Sequence, residues 1–465
     1  MLVDRYPHED VFARVPELAH RRDPVLEQLD RLLDDDVLYG LVRADLGTRY
    51  PQTLVHGRHS TPAEVLLRLM LVKHLYHWSY RETENRVADS LVLRWFCRVY
   101  FQPVPDATTL LRWAHTIQPA TLHALNDHVV HLAYQAQVTT GRKLRIDGTA
   151  VQTVIHHPTD SGLLTDGVRV LSRLIRRSKP LVQETLGAVR DAFRTRMRTM
   201  RGGLQTLHRL RRRTGDDPAA QRVAVYTKLV AATRATVTQA QGVLAALHGV
   251  DCAVERQATR LRTEIARYIP LVEQVIRQTE RRVFADERVP ATEKLASLFE
   301  PHTRIIPRHK GGAAVEFGRL VVVDEVEGGI VTRFAVLMDK TGEQGQLAPA
   351  LAQHRRLFGK APRLVTGDRG VHAAENEAVA RAAGVRHLVI PRAGRLTATQ
   401  RADEQTRSWR RRYRWRAGIE GRLSSLRRDY GLQACPDHGE EGLVRRVGWG
   451  IIASNLRHIG QKLAA

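Results

Sequence analysis

The stretch Lys143-Leu144-Arg145-Ile146-Asp147-Gly148-Thr149-Ala150-Val151 decides how this chain is read. Apolar and polar residues alternate along it, the period of a strand with one buried face. The alternation runs on through Val154 and Ile155 until His156-His157-Pro158 stops it. Helical patterns lie on both sides of this strand, so its partners must come from far along the chain.

Upstream, Thr61-Pro62-Ala63-Glu64 carries a capping-box pattern with Pro in the first turn, followed by a roughly helical apolar stripe at Val65, Leu66, Leu69, Val72 and Leu75. Ser79-Tyr80-Arg81-Glu82 predicts a second capping box, and Asp106 an N-cap before Leu110, Leu111 and Trp113. Short helices closed by polar turns suit an all-α, helix-turn-helix-like DNA-binding unit over 1–135. A plain helical bundle with solvated basic faces is the simpler reading of the same pattern.

Downstream, 163–300 is helical again, punctuated by Pro180, Gly202-Gly203, Gly215-Asp216-Asp217-Pro218 and Gly249, and it carries a net charge of +12. Strand character returns at 316–325 and 330–338, joined by the turn residues Glu327-Gly328-Gly329, which predicts an antiparallel hairpin. A helix over 346–358, a short strand ending at Asp368, a helix over 373–383 and a strand at 387–390 follow. Strands alternating with helices after a hairpin imply a mixed α/β sheet. The helical tract is then an insertion between the first strand and the hairpin. Residues 392–428 hold 12 Arg and no Lys, with a local balance of +9, and an amphipathic helix closes the chain.

Over 465 residues the net charge is +24 and the isoelectric point near 10.7, an electrostatic footprint for a polyanion. No apolar run approaches a membrane span, and the start, Met1-Leu2-Val3-Asp4-Arg5, lacks signal-peptide character. Cys97, Cys252 and Cys435 are too scattered for a disulfide framework or a Cys-rich zinc site. These features predict a cytoplasmic protein that handles nucleic acid.

Three acids stand out by position. Asp147 lies on the first strand, Asp368 ends the apolar strand at Leu364-Val365, and Glu420 interrupts an arginine-rich helix. Acids at strand ends face the crevice where α/β sheets place functional groups. A carboxylate trio can hold two divalent ions that clamp the oxygens of a phosphoryl transfer, work that suits Mg²⁺. Each acid also has an ordinary reading: Asp147 and Asp368 as turn formers, Glu420 as the i+4 partner of Arg416. His156-His157 lacks the further ligands of a metal site, and Thr149 and Thr153 lack a base. Trp409 and Trp415 suit base stacking or simple packing equally.

The run from Tyr413 to Arg427 resembles the Y-x2-R-x3-E-x6-K signature of bacterial insertion-sequence transposases. Tyr413, Arg416 and Glu420 match it, and Arg427 stands where that family usually has Lys. More widely, the chain resembles the ISNCY family of DDE transposases. The resembling pieces are Ser79-Tyr80-Arg81-Glu82, Leu144-Arg145-Ile146-Asp147, His157-Pro158-Thr159-Asp160-Ser161, Phe299-Glu300-Pro301-His302-Thr303, Glu325-Val326-Glu327-Gly328-Gly329, Gly367-Asp368-Arg369-Gly370-Val371-His372 and Val447-Gly448-Trp449-Gly450.

The resemblance implies an RNase H-like catalytic domain over 140–162 and 301–432, interrupted by the all-α insertion at 163–300 and followed by a helical tail at 433–465. It implies that Asp147, Asp368 and Glu420 are catalytic and bind two Mg²⁺ ions, with Mn²⁺ able to substitute. It further implies that Tyr413, Arg416 and Arg427 touch DNA. The expected partners are the double-stranded transposon ends and target, held by a homodimer associated with the nucleoid, with no small-molecule cofactor and no membrane. The expected reaction frees a 3′-OH by hydrolysis and joins it to target DNA. The alternative is a non-catalytic DNA-binding protein, a repressor or bridging protein, that retains the fold.

Overall fold

The computed structural model describes residues 2–9, 11–17, 23–49, 52, 60–189, 191–210, 218–250, 255–307, 315–338 and 342–465. The turn read at Gly215-Asp216-Asp217, Met1 and Cys252 lie outside them. Cys97 and Cys435 are buried free thiols. Among the described residues no helix is long and apolar enough to cross a membrane.

The chain divides into two compact units, 1–152 with 319–465, and 153–318. Its strands are β1 (Lys143–Thr153), β2 (Arg304–Pro307), β3 (Val315–Val326), β4 (Ile330–Val336), β5 (Leu364–Gly367), β6 (His387–Val389) and β7 (Ala434–Cys435). In the first unit the sheet runs β3–β1–β5–β6, with β4 hydrogen-bonded to β3 and β7 to β1. The β3–β4 pair is the antiparallel hairpin, turning at Glu327-Gly328-Gly329, whereas β1–β5 and β5–β6 are parallel. The sheet is therefore mixed.

One continuous apolar core joins the N-terminal helices, this sheet and the C-terminal helix Gly439–Ala464. Buried Asn455 shows how closely they mesh. Its side chain donates to Val331 O at 2.8 Å and Asn126 Oδ1 at 2.9 Å, and accepts from Val331 N at 2.8 Å. Gly448 supplies the clearance, since a Cβ there would stand 3.0 Å from Leu122 and 3.1 Å from Phe334. The segments before 135 and after 433 bury their apolar faces in this core together with the sheet.

The second unit has its own core, built from the helices Asp160–Leu186, Met197–Leu210, Pro218–Leu247 and Glu255–Val283. Leu171, Leu174, Leu229, Val243, Leu261 and Ile265 lie at its centre. Within this unit β2 pairs antiparallel with the opening residues of β3, from Arg304 opposite Gly318 to Pro307 opposite Val315.

Local signals held at some helix starts and failed at one. Ser79 and Glu82 form the reciprocal capping box, and Asp106 caps Ala107–Ala114. At Ala63–Leu75, however, Pro62 takes the cap position with no side-chain hydrogen bond. All 13 residues of that helix are buried, so Glu64 turns inward instead, accepting from Arg68 at 3.1 Å. Arg68 also binds Asp30 at 2.6 Å. A helix covered on every side has no exposed first turn for a polar cap, and burial claims its acid for an ion pair.

Buried ion pairs also sit where the hairpin meets the helix Ala417–Asp429. Glu325 on β3 is fully buried (0%) and binds Arg145 of β1 at 2.7 Å and Arg422 of that helix at 3.2 Å. Arg145 also donates to Trp415 O at 2.9 Å. Two residues on, Glu327 accepts from the backbone amides of Arg142 at 2.7 Å and Lys143 at 2.8 Å, fixing the start of β1. Gly328 and Gly329 have φ of +84° and +76°, and side chains there would collide with Val138 O and the Arg422 guanidinium. Removing one partner from a buried ionic group strands the others, at a cost of about 3–5 kcal/mol. Glu325→Ala should therefore lose about that much unfolding free energy in urea. A loss below about 1 kcal/mol would show that the two arginines find other partners.

Candidate active site

The β1–β5 register builds the site. The strands are parallel, with Lys143 beside Leu364 and each successive pair in step to Ile146 beside Gly367. The next residue on each chain is an acid, Asp147 and Asp368. In-register neighbours on adjacent strands present the same face, so the pairing that buries Leu144 and Val365 brings these two carboxyls together.

Glu420 arrives from the helix Ala417–Asp429, and Arg145 donates to the carbonyl of Trp415, two residues before that helix. The cation that joins the acids is Arg416. Its guanidinium binds Asp147 Oδ2 at 2.9 Å and Glu420 Oε1 at 3.0 Å. Its buried Nε has no hydrogen-bond partner among the described residues. Glu420 is largely exposed, whereas Asp147 is buried. Arg416 thus keeps the helical pair with Glu420 and adds a cross-link to the sheet.

A fourth acid belongs to this cluster and was not read from the sequence. Glu343, in the short 3₁₀ turn Glu343–Gln346, comes up beside Asp368, so that a Cβ at position 370 would lie against both carboxyls. Its carboxyl fills the space beside the glycines at 148 and 370. An acid isolated in a turn, with Gly342 before it, has no local signature beyond that of an ordinary loop residue. Only its approach to Asp368 distinguishes it.

The titration behaviour reflects this crowding. Burial, above all, pushes the Asp147 carboxyl up to about 6; Asp368 and Glu420 add to the rise, while Arg416 and the Gly148 amide oppose it. Glu343 is pushed up to about 7 by burial first, then by Asp368 and Asp147. Four carboxyls facing one guanidinium make a negative pocket in a strongly basic chain. Among the described residues, no three His, Cys, Asp or Glu side chains already converge as a metal-ligating group. The Arg416 guanidinium holds the position between two of the acids instead.

The other residues singled out by pattern have definite places. Tyr413 stacks on Trp409, with ring centroids 4.8 Å apart. The Trp415 ring lies beneath Arg145, 4.8 Å from its centroid, and beneath Lys143 at 5.7 Å. Both tryptophans are thus engaged by their own chain. Arg427 is half-buried on the helix that carries Glu420. In the helical unit Thr153 bonds Thr303 through their hydroxyls at 2.8 Å, and His157 packs edge-on against Phe317. The cleft of about 860 Å³ in that unit is lined by Leu204, Leu207, Arg222, Tyr226 and Arg282, and includes none of the four acids.

Residues 11–116 match a family model described as a transposase domain (DUF772). The match supports a transposase family and ends before β1, so the four acids lie outside it. No curated protein and no solved structure matches the chain.

The raised carboxyls have a measurable consequence. A carboxyl with a higher pKa folded than unfolded takes up a proton on folding. The stability it contributes is complete at low pH and is lost as the pH rises through the folded value. For Asp147 this window extends from its ordinary 3.8 to about 6. Asp147→Asn removes the effect, so its unfolding free energy relative to wild type should rise by about 2–3 kcal/mol from pH ~4 to pH ~7, at ~1.4 kcal/mol per unit. Urea unfolding at the two pH values measures it, and a flat difference contradicts the raised pKa.

Proposed function

We propose that the protein is a DDE-type DNA transposase that cleaves the ends of an insertion sequence and joins them to target DNA. The observation that carries this reading is the in-register placing of Asp147 and Asp368 just past the paired ends of β1 and β5, with Arg416 linking Asp147 to Glu420 on the neighbouring helix. The transposase-domain match at 11–116 supports it from an independent part of the chain. The mixed sheet, with a hairpin followed by parallel strands, supports an RNase H-like catalytic domain.

The donor set fits Mg²⁺ in its chemistry, since it offers carboxylate oxygens and neither imidazole nor thiolate. The guanidinium between Asp147 and Glu420 is a cation already in that seat. Asp147, Asp368 and Glu420 would hold the ions. When bound, two divalent ions supply activation of the attacking oxygen and charge neutralisation at the leaving one.

The chain's own residues do the rest. Asp147 and Asp368 are held rigidly by the strand register, while Glu420 projects from a helix anchored through Arg145 and Arg422 to Glu325. Arg416, released from the acids, carries a planar fork suited to a phosphate of the DNA end. The basic segment 392–428 and the N-terminal helices bear the DNA, which a homodimer brings together. In this reading water and then the 3′-OH attack the phosphorus.

The test is strand cleavage with Mg²⁺ on DNA carrying the element's own terminal inverted repeats. Asp147→Asn, Asp368→Asn and Glu420→Gln should each lower the cleavage rate by about 10³-fold or more, with end binding within a few-fold of wild type. Tight binding with no cleavage by the wild-type chain would instead favour a non-catalytic DNA-binding protein. Arg416→Ala should weaken end binding and reduce the salt slope by about 1, whereas Arg427→Lys should keep activity. An unchanged slope for Arg416→Ala would leave the ion pairs with Asp147 and Glu420 as that arginine's only role.

A further inference from the structure

We infer that the outer faces of the helices Asp160–Leu186 and Met197–Leu210, in the second unit, bind the phosphate backbone of double-stranded DNA. The inference rests on the DNA partner of the transposase reading above. The two helices pack against each other, and their apolar sides face the core of the unit through Leu171, Leu174 and Ile175 on one and Met200 on the other. The opposite side of the first helix carries Arg169, Arg173 and Arg176, spaced by four and three residues, and all three are exposed. The opposite side of the second carries exposed Arg198 and Arg201, three apart, with exposed Arg209 about two turns on. That spacing keeps the arginines of each helix on one face. Asp166 engages Arg169, but Arg173, Arg176, Arg198, Arg201 and Arg209 have no acidic partner among the described residues.

The same unit shows what an ordinary solvated basic helix looks like. Along Glu255–Val283 the signs alternate, and Arg260, Arg262 and Arg281 are answered by Glu264, Glu255 and Glu287. Solubility is served by such interspersed charge. Met197–Leu210 instead holds three arginines and no acid. Like charges three and four apart repel, so each row weakens its own helix until an anion meets it. A row of phosphates removes that repulsion, and the planar fork of each guanidinium matches a phosphate's paired oxygens. An anionic membrane is the other extended polyanion, but a helix that lies on one sets large apolar side chains beside its cations. The exposed residues that share these faces are Pro180 and Gln183 on the first helix and Gly202 and Gln205 on the second, none of them large and apolar. Contacts of this kind grip the backbone and carry no base information, so the surface takes DNA of any sequence.

Fluorescence anisotropy of a labelled duplex of arbitrary sequence, without inverted repeats, tests this on the full chain over a range of salt concentrations. Arg173→Gln, Arg176→Gln, Arg198→Gln and Arg201→Gln combined should flatten the slope of log Kd against log salt by about 3, and weaken binding about tenfold or more at ~0.1 M salt. A second variant combines Arg234→Gln, Arg260→Gln, Arg262→Gln and Arg281→Gln, arginines of the same unit already engaged by acids. It removes the same charge and should keep the slope within about 1 of wild type. All eight positions lie on helix surfaces, and circular dichroism of both variants reports that the helices are intact. An unchanged slope in the first variant overturns the surface and leaves the transposase reading standing. Equal flattening in both variants shows that net charge alone acts, and overturns the surface as well. A wild-type chain with no salt-dependent duplex binding overturns the transposase reading together with it.

Discussion

Glu325 is the residue on which the placing of the acid cluster depends. A carboxylate with no exposure must be met by cations, and it is met by two, Arg145 from β1 and Arg422 from the helix that carries Glu420. Those cations are spent on position rather than on solubility. Arg145 continues to the carbonyl of Trp415, so the entry to the Glu420 helix is held from below by the strand that carries Asp147. Burying such a trio confers little net stability compared with apolar packing, but it tolerates only one relative placement of strand, hairpin and helix. The adjacent Glu327 applies the same constraint to the start of β1 through backbone amides.

Around this fixed frame the acids are in tension. Asp147 and Glu343 are both pushed up by burial and by neighbouring carboxylates, and Arg416 relieves only part of that load. Arg416 is the cation that engages the cluster, through Asp147 and Glu420. A guanidinium on a long side chain can exchange a carboxylate for a phosphate at small cost, because both present paired oxygens to its fork.

The helical unit interrupts a sheet without disturbing it. It leaves the first unit at the end of β1 and returns through β3, strands that are hydrogen-bonded neighbours. Joining two adjacent strands through a self-contained helical core adds little to the cost of bringing them together, since loop-closure entropy grows slowly with length.

Much of this was legible in the sequence. The period-two run at 143–151, the hairpin glycines and the alternation after 340 determined a mixed α/β sheet interrupted by helices, because side-chain periodicity is a local property of the backbone. Asp147, Asp368 and Glu420 stand out in the sequence from their places at strand ends and in the signature resemblance. Ser79 and Asp106 were read correctly as caps because their first turns are exposed. Tertiary structure decided what local pattern does not encode. Thr61 lost its cap to full burial of the helix Ala63–Leu75, and the segments before 135 and after 433 merged into one core with the sheet. The second bond of Arg416, the Glu325 bridge and the place of Glu343 all join residues far apart in the chain. Charge and burial act through space, and sequence spacing carries them only where a helix turn or a strand register converts one into the other.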